Sequence, residues 1–237
     1  MRAPLLALGL LLAGCVQPGA VETPAGLLDL PPGDVLAFNG RGEPVPPPAG
    51  PLARFAITAL GHKGAEPTLG VTPKGNVFVI SGADVMRSQD KGMTWEVVSP
   101  PANVPRSLDP YLHVDAATGR VFMDHLYVGC SYLAWSDDEG ESWLYNPAAC
   151  GLPVNDHQTL STGKPAGAPT LGYPNVVYYG YNGLAYTGVA RSLNGGLTFA
   201  GGTVAIGPAH CGGLNGHIVT GPDDGTVYVI EAVGLSG

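Results

Sequence analysis

Charge is scarce in this 237-residue sequence, and positive charge most of all. Charged side chains are 13% of the chain, and 19 Asp and Glu outnumber 11 Lys and Arg, leaving a net charge of −8. Nucleic-acid affinity depends on Lys and Arg neutralising phosphates, so this composition argues against a nucleic-acid partner. No Cys-x-x-Cys or His-x-x-x-His spacing is present, so neither a metal nor another cofactor is predicted. A serine triad has no Gly-x-Ser-x-Gly to rest on. Nowhere does apolar spacing of helical period persist. What abounds is Gly (36) and Pro (23), the composition of short strands joined by many tight turns.

Apolar character concentrates at the start. Arg2 precedes a run from Pro4 to Ala13, and "LAGC" ends at Cys15. This run is too short to span a bilayer and has the length of a signal-peptide core. Its ending resembles the lipobox of bacterial lipoprotein signals. The resemblance implies export and a lipid anchor at Cys15 in the cell envelope, the only membrane contact expected. An ordinary secretory signal, giving a secreted chain, is the alternative. Residues 1–15 thus read as a signal segment and 16–51, with its Pro clusters, as an extended linker. An oxidising compartment permits disulfides, and Cys130 and Cys150 flank one predicted hairpin, which makes them the expected pair. Cys211 is left over.

Residues 52–237 repeat. "SQDKGMTW" (88–95) returns as "SDDEGESW" (136–143) and, with changes, as "SLNGGLTF" (192–199). Before each box lie two β-rich runs and a third strand ending in its serine, and after it a fourth strand begins. Four short antiparallel strands in each repeat of roughly 40–50 residues match a propeller blade. Within the box, Gly92, Gly140 and Gly196 supply the positive φ that a tight turn needs. Asp90, Asp138 and Asn194 can bond nearby backbone N–H groups, joined by Ser88, Ser136 and Ser192. Trp95, Trp143 and Phe199 supply rings to bury between sheets.

The pattern Ser-x-Asp-x-Gly-x-Thr/Ser-aromatic resembles the Asp box, or BNR repeat, of sialidase-type β-propellers. The resemblance runs from Glu66 to the end and implies an all-β, sialidase-like propeller of four-stranded antiparallel blades. Three blades are complete and a fourth stops after two strands, which reads as an N-terminal portion of about three and a half blades. In that family the box is structural, so Asp90 and Asp138 are set aside as catalytic candidates.

In such a fold the first strands line a channel, and the loops entering them share a face with the second-to-third-strand loops. That funnel face collects Glu66, Arg106, Asp109, Asp156, His157 and His217 as candidate ligand-binding residues. Glu66, Asp109, Asp156 and His217 are expected at equivalent strand beginnings. Converging carboxylates and imidazoles suit a sugar, a cation or a peptide end. By the resemblance, the family's acid/base loop falls at "SGADV" and makes Asp84 the catalytic candidate. Glu66, however, stands where the family's first substrate-binding arginine belongs. The expected activity is therefore binding of a glycan or cell-surface protein on the funnel face, with exo-α-sialidase or related glycoside hydrolase activity as the alternative.

Overall fold

A computed structural model of the chain describes residues 60–127, 130–149, 156–167, 169–183, 186–207 and 217–230, with two short strands at 37–38 and 44–45. The signal segment with Cys15, most of the linker, Cys150 and Cys211 lie outside the described residues. Within the linker, β1 (Ala37–Phe38) pairs with β2 (Pro44–Val45).

From residue 60 the described chain is all β. Sheet I is β3 (Thr68–Val71), β4 (Val77–Ser81), β5 (Asp84–Ser88) and β6 (Glu96–Val97). Sheet II is β7 (Pro110–Val114), β8 (Val121–Tyr127), β9 (Cys130–Ser136) and β10 (Leu144–Ala149). Sheet III is β11 (Asp156–Gly163), β12 (Val176–Asn182), β13 (Thr187–Ser192) and β14 (Ala200–Ile206). Each is an antiparallel meander in chain order, and β15 (Ile218–Thr220) with β16 (Val227–Val229) begins another.

The sheets stack through their faces. Phe78, Ile80 and Val85 of sheet I pack on Leu112, Val114, Val121 and Met123 of sheet II. Phe122, Leu133 and Trp135 face the other way, onto Leu160, Val177, Tyr179 and Tyr181 of sheet III. Sheet II is thus covered on both sides, which is why "VFM" of β8 is apolar at successive positions instead of alternating. First strands lie side by side: a Cβ on Gly70 of β3 would sit 2.5 Å from the Val114 side chain of β7, so only glycine permits that approach.

The three boxes occupy the turns β5–β6, β9–β10 and β13–β14, and close one hydrogen-bond net three times. Gly92, Gly140 and Gly196 donate their N–H to Ser88, Ser136 and Ser192 Oγ at 2.8, 2.8 and 2.9 Å. Each serine hydroxyl donates in turn to Asp90, Asp138 or Asn194 at 2.8 Å. Thr94 and Ser142 Oγ donate to Asp90 and Asp138, whereas Asn194 Nδ2 donates to Thr198 Oγ1 at 2.8 Å. One bond has reversed polarity, and the turn survives it. Gly92, Gly140 and Gly196 have φ of 88°, 89° and 100°, in the region that glycine enters without strain.

Boxes also clamp the preceding sheet. Trp143 Nε1 donates to Val98 O, just past β6 of sheet I, at 2.8 Å, and Glu139 accepts from Thr72 Oγ1 and Asn76 Nδ2 at 3.1 and 3.0 Å. Asn146 reaches Gly196 O of the third box at 2.9 Å. Trp143 and Phe199 pack against the intersheet cores, but Trp95 is not part of either one, so the expectation of three equivalent buried rings needs correction. The first box has no four-stranded sheet before it among the described residues, and among these its tryptophan bonds within its own turn, Nε1 donating to Gly92 O at 3.1 Å. Cys130 is disulfide-bonded, and its partner lies outside the described residues.

Candidate functional site

The register of the sheets decides which residues share the end where the first strands begin. Thr68 pairs with Ile80 and Ile80 with Val85, three residues before Ser88. Tyr111 reaches Leu133 through Asp124, and Thr159 reaches Val189 through Gly180, each again three residues before its box serine. Thr68, Tyr111 and Thr159 are therefore equivalent. Two positions earlier stand Glu66, Asp109 and His157. Leu112 N–H donates to Thr68 Oγ1 at 2.7 Å, and Ile218 N–H makes the matching bond to Thr159 Oγ1 at 3.4 Å, which sets His217 level with Tyr111.

This corrects the expected alignment of Glu66, Asp109, Asp156 and His217. An irregularity in β11 between Asp156 and Thr159 shifts the frame, so His157 takes the position of Glu66. Glu66 and His157 both adopt left-handed backbone, with φ of 50° and 49°, which neither side chain favours intrinsically. Asp156 is exposed, and its Oδ1 accepts the His157 N–H at 2.9 Å.

A cavity of about 200 Å³ opens at this end, lined by Glu66, Thr68, Asp109, Tyr111, His157, Gln158 and His217, with Pro67 and Pro110. The structure thus brings together Glu66, Asp109, His157 and His217. It leaves out Asp84 and Arg106, which pair with each other. Arg106 Nη1 donates to Asp84 Oδ1 at 3.2 Å and Nη2 to Pro100 O, while Ser99 Oγ holds the same Asp84 oxygen at 3.1 Å. Asp84 also differs from its expected placement in a loop. It opens β5 opposite Ser81, because a two-residue turn led by Gly82 (φ 58°) suffices to join β4 and β5.

Asp109 is the tuned carboxyl of the cavity. Burial raises its pKa to about 6, aided by the neighbouring Glu66 side chain and by the Asp156 charge, with Gln158 opposing. Gln158 Nε2 donates to Asp109 O at 2.8 Å and to Asp109 Oδ1 at 3.3 Å. Below this layer Asp124 is fully buried, and neither of its oxygens meets a donor in good geometry. Burial pushes its pKa well above the carboxylate range. Gln158 and Ser131 offset that only in part, and Asp109 reinforces it. His217 is lowered by burial and then by His157, which favours its neutral form. The rings group tightly: Tyr111 meets His217 edge-on at 5.1 Å between centroids, and His157 lies 6.1 Å from His217.

Tyr111, Thr68, Gln158 and Asp124 escape a search for charged residues at strand beginnings. Register would have found Tyr111 and Thr68, since counting back from the box serines reaches both. Among the described residues no three His, Cys, Asp or Glu side chains are arranged to hold a metal ion.

Solved structures with a similar backbone include Hadza microbial sialidase Hz136, 18% identical with a TM-score of 0.43 over 69% of this chain and 35% of that one. They also include the NanB sialidase from Streptococcus pneumoniae, 16% identical with a TM-score of 0.45 over 68% of this chain and 25% of that one. The chain spans about a third or less of the length of these structures. No family model and no curated protein matches it.

Proposed function

We propose that this chain is part of an exported, sialidase-like β-propeller that binds a glycan at the mouth where its first strands begin. The observation that carries the reading is the convergence of Glu66, Asp109, Tyr111, His157 and His217, from successive sheets, on one small cavity. A cavity of this size suits a small ligand such as a sugar ring. Carboxyl oxygens accept sugar hydroxyls, and clustered rings offer apolar faces to the C–H side of a pyranose. Repeated boxes and side-by-side first strands support the propeller. The signal-like start and Pro-rich linker support display outside the cell, on a lipid anchor at Cys15 or as a secreted chain.

Hydrolysis is the second reading, favoured by the carboxyl tuned to about 6. Asp84 is held by Arg106 outside the cavity. Binding is therefore the leading function. The test is a glycan array with the full chain, alongside a panel of chromogenic glycosides. Glycan binding that Tyr111→Ala weakens at least tenfold, with no glycoside turned over, is expected. Turnover lost in Asp109→Asn would transfer the assignment to a hydrolase.

A further inference from the structure

We infer that Asp124 is a positioning residue beneath the cavity: it is carried as a neutral carboxylic acid and donates its proton to the Gln158 amide, which in turn holds Asp109 at the cavity. The inference goes beyond glycan binding, since it concerns how the cavity is built, whatever occupies it.

Three oxygens carry it. Asp124 Oδ1, Asp124 Oδ2 and Gln158 Oε1 are all buried, and none of them meets a donor in good geometry among the described residues. They belong to neighbouring groups, because the Gln158 amide lies against the Asp124 carboxyl. Were Asp124 ionised, all three would be acceptors and a buried charge would stand unpaired, far costlier than a buried neutral group. A single proton changes the count. The Asp124 O–H becomes a donor, and Gln158 Oε1 is the acceptor that lacks one. Ser131 serves the other Asp124 oxygen. Tyr179 Oη and Ser131 Oγ lie 2.6 Å apart, and with Tyr179 donating, the Ser131 hydroxyl donates onward to Asp124.

The groups packed on Asp124 are Asp109 and Tyr111 at the start of β7, Ser131 of β9, Gln158 of β11 and Tyr179 of β12. None of these is a cation that would stabilise the ionised form. The direction of the amide matters as well. Gln158 spends Nε2 on Asp109 O and Oδ1. Turned over, the amide would set Oε1 against those two acceptors, and a donor on Asp124 prevents this. The consequence for the site is the pH at which the cavity gains its charge, because the Gln158 bond favours ionised Asp109 against the burial that disfavours it.

Carboxyl carbon NMR of the full chain, labelled at aspartate and free of ligand, tests this. Asp124 should keep the signal of a carboxylic acid through pH 7.5, while Asp109 titrates at about 6. An Asp124 that has ionised by pH 7.5 overturns the inference. Asp124→Asn keeps a neutral group with an N–H donor, so the Asp109 midpoint should stay in place. A fall of about one pH unit would mean that a neighbouring negative charge had been removed, and overturns the inference. Asp124→Leu removes the donor, releases the amide and should raise the Asp109 midpoint by about one pH unit. Equal midpoints in the Asn and Leu variants overturn the positioning role. If the Leu variant does not fold, Gln158→Met decides in its place. The Asp124 signal should then move as it loses its acceptor and the Asp109 midpoint should rise, and failure of either to move overturns the inference. No ligand enters the experiment, so its outcome is separate from that of the glycan array.

Discussion

At the box end of each sheet, Ser88, Ser136 and Ser192 accept from a glycine N–H and donate to an Asp or Asn, at nearly constant distances in all three copies. At the opposite end, the equivalent positions hold Glu66, Asp109 and His157, and the next inward-facing ones hold Thr68, Tyr111, Thr159 and His217. One end repeats its chemistry and the other diversifies it. A repeated fold needs its turns closed the same way each time, because each closes the same hairpin. It does not need the same side chains at the mouth, where no strand pairing depends on them. Difference between equivalent positions is thus the mark of a site, and sameness the mark of scaffold.

The comparison breaks most visibly between the first and second boxes. Trp143 packs into the core between sheets I and II and bonds Val98 O, whereas Trp95, among the described residues, bonds within its own turn. Trp143→Ala should lose about 3 kcal/mol, near the lower end for aromatic deletions because the ring is half-buried. Trp95→Ala should lose about 1 kcal/mol. Denaturant melts of the full chain read both values, and equal losses would mean that another part of the molecule covers Trp95.

A smaller effect tests whether the net itself stabilises the turn. The Ser136 hydroxyl is buried and serves both Gly140 and Asp138. Ser136→Ala leaves the Gly140 N–H unpaired and should cost about 1–2 kcal/mol. Asp138→Asn should change the melting temperature little, because Asn194 already closes the third copy with a reversed bond to Thr198. A loss in Asp138→Asn as large as in Ser136→Ala would show that charge, and not the pattern of bonds, closes the turn.

These contrasts explain what was legible in the sequence. The boxes, the order of strands and the placement of each turn were readable because turn chemistry is local: Ser88 to Thr94 form their bonds within seven residues. The candidates Glu66, Asp109, His157 and His217 were readable as polar residues before β-rich runs. Their alignment was not, because a backbone irregularity between Asp156 and Thr159 moves the frame without any distinctive residue to announce it. Tyr111 and Gln158 stayed hidden because they read as strand residues, and only the adjacency of strands 40 to 60 residues apart turns them into lining. Asp84 carried an expectation borrowed from a family loop, and the short turn at Gly82 places it on a strand instead. The lipid anchor and the partner of Cys130 lie outside the described residues.

The smallest expected effect runs in the opposite direction and concerns the mouth. A carboxyl whose pKa is raised on folding keeps its proton where the unfolded chain has already lost it. Between about pH 4 and pH 6 the unfolded state binds fewer protons at Asp109 than the folded state, so stability falls as pH rises and stays lower above that window. The deeply buried Asp124 contributes in the same direction. Asp109→Asn removes the charge and keeps the shape, so it should stabilise the chain at pH 7.5 and give no gain at pH 4. Because Asp109 is only half-buried, solvent screening reduces the gain to about 1 kcal/mol. The same substitution should weaken ligand binding, since Asp109 lines the cavity and the change removes one of its carboxylate acceptors. A scaffold carboxylate held low by its donors, as the box aspartates are, would give no such gain at pH 7.5. A stability gain at pH 7.5 coupled to a loss of affinity would place Asp109 with the site. A stability loss at that pH would return it to the scaffold and dissolve the contrast between the two ends of the sheets.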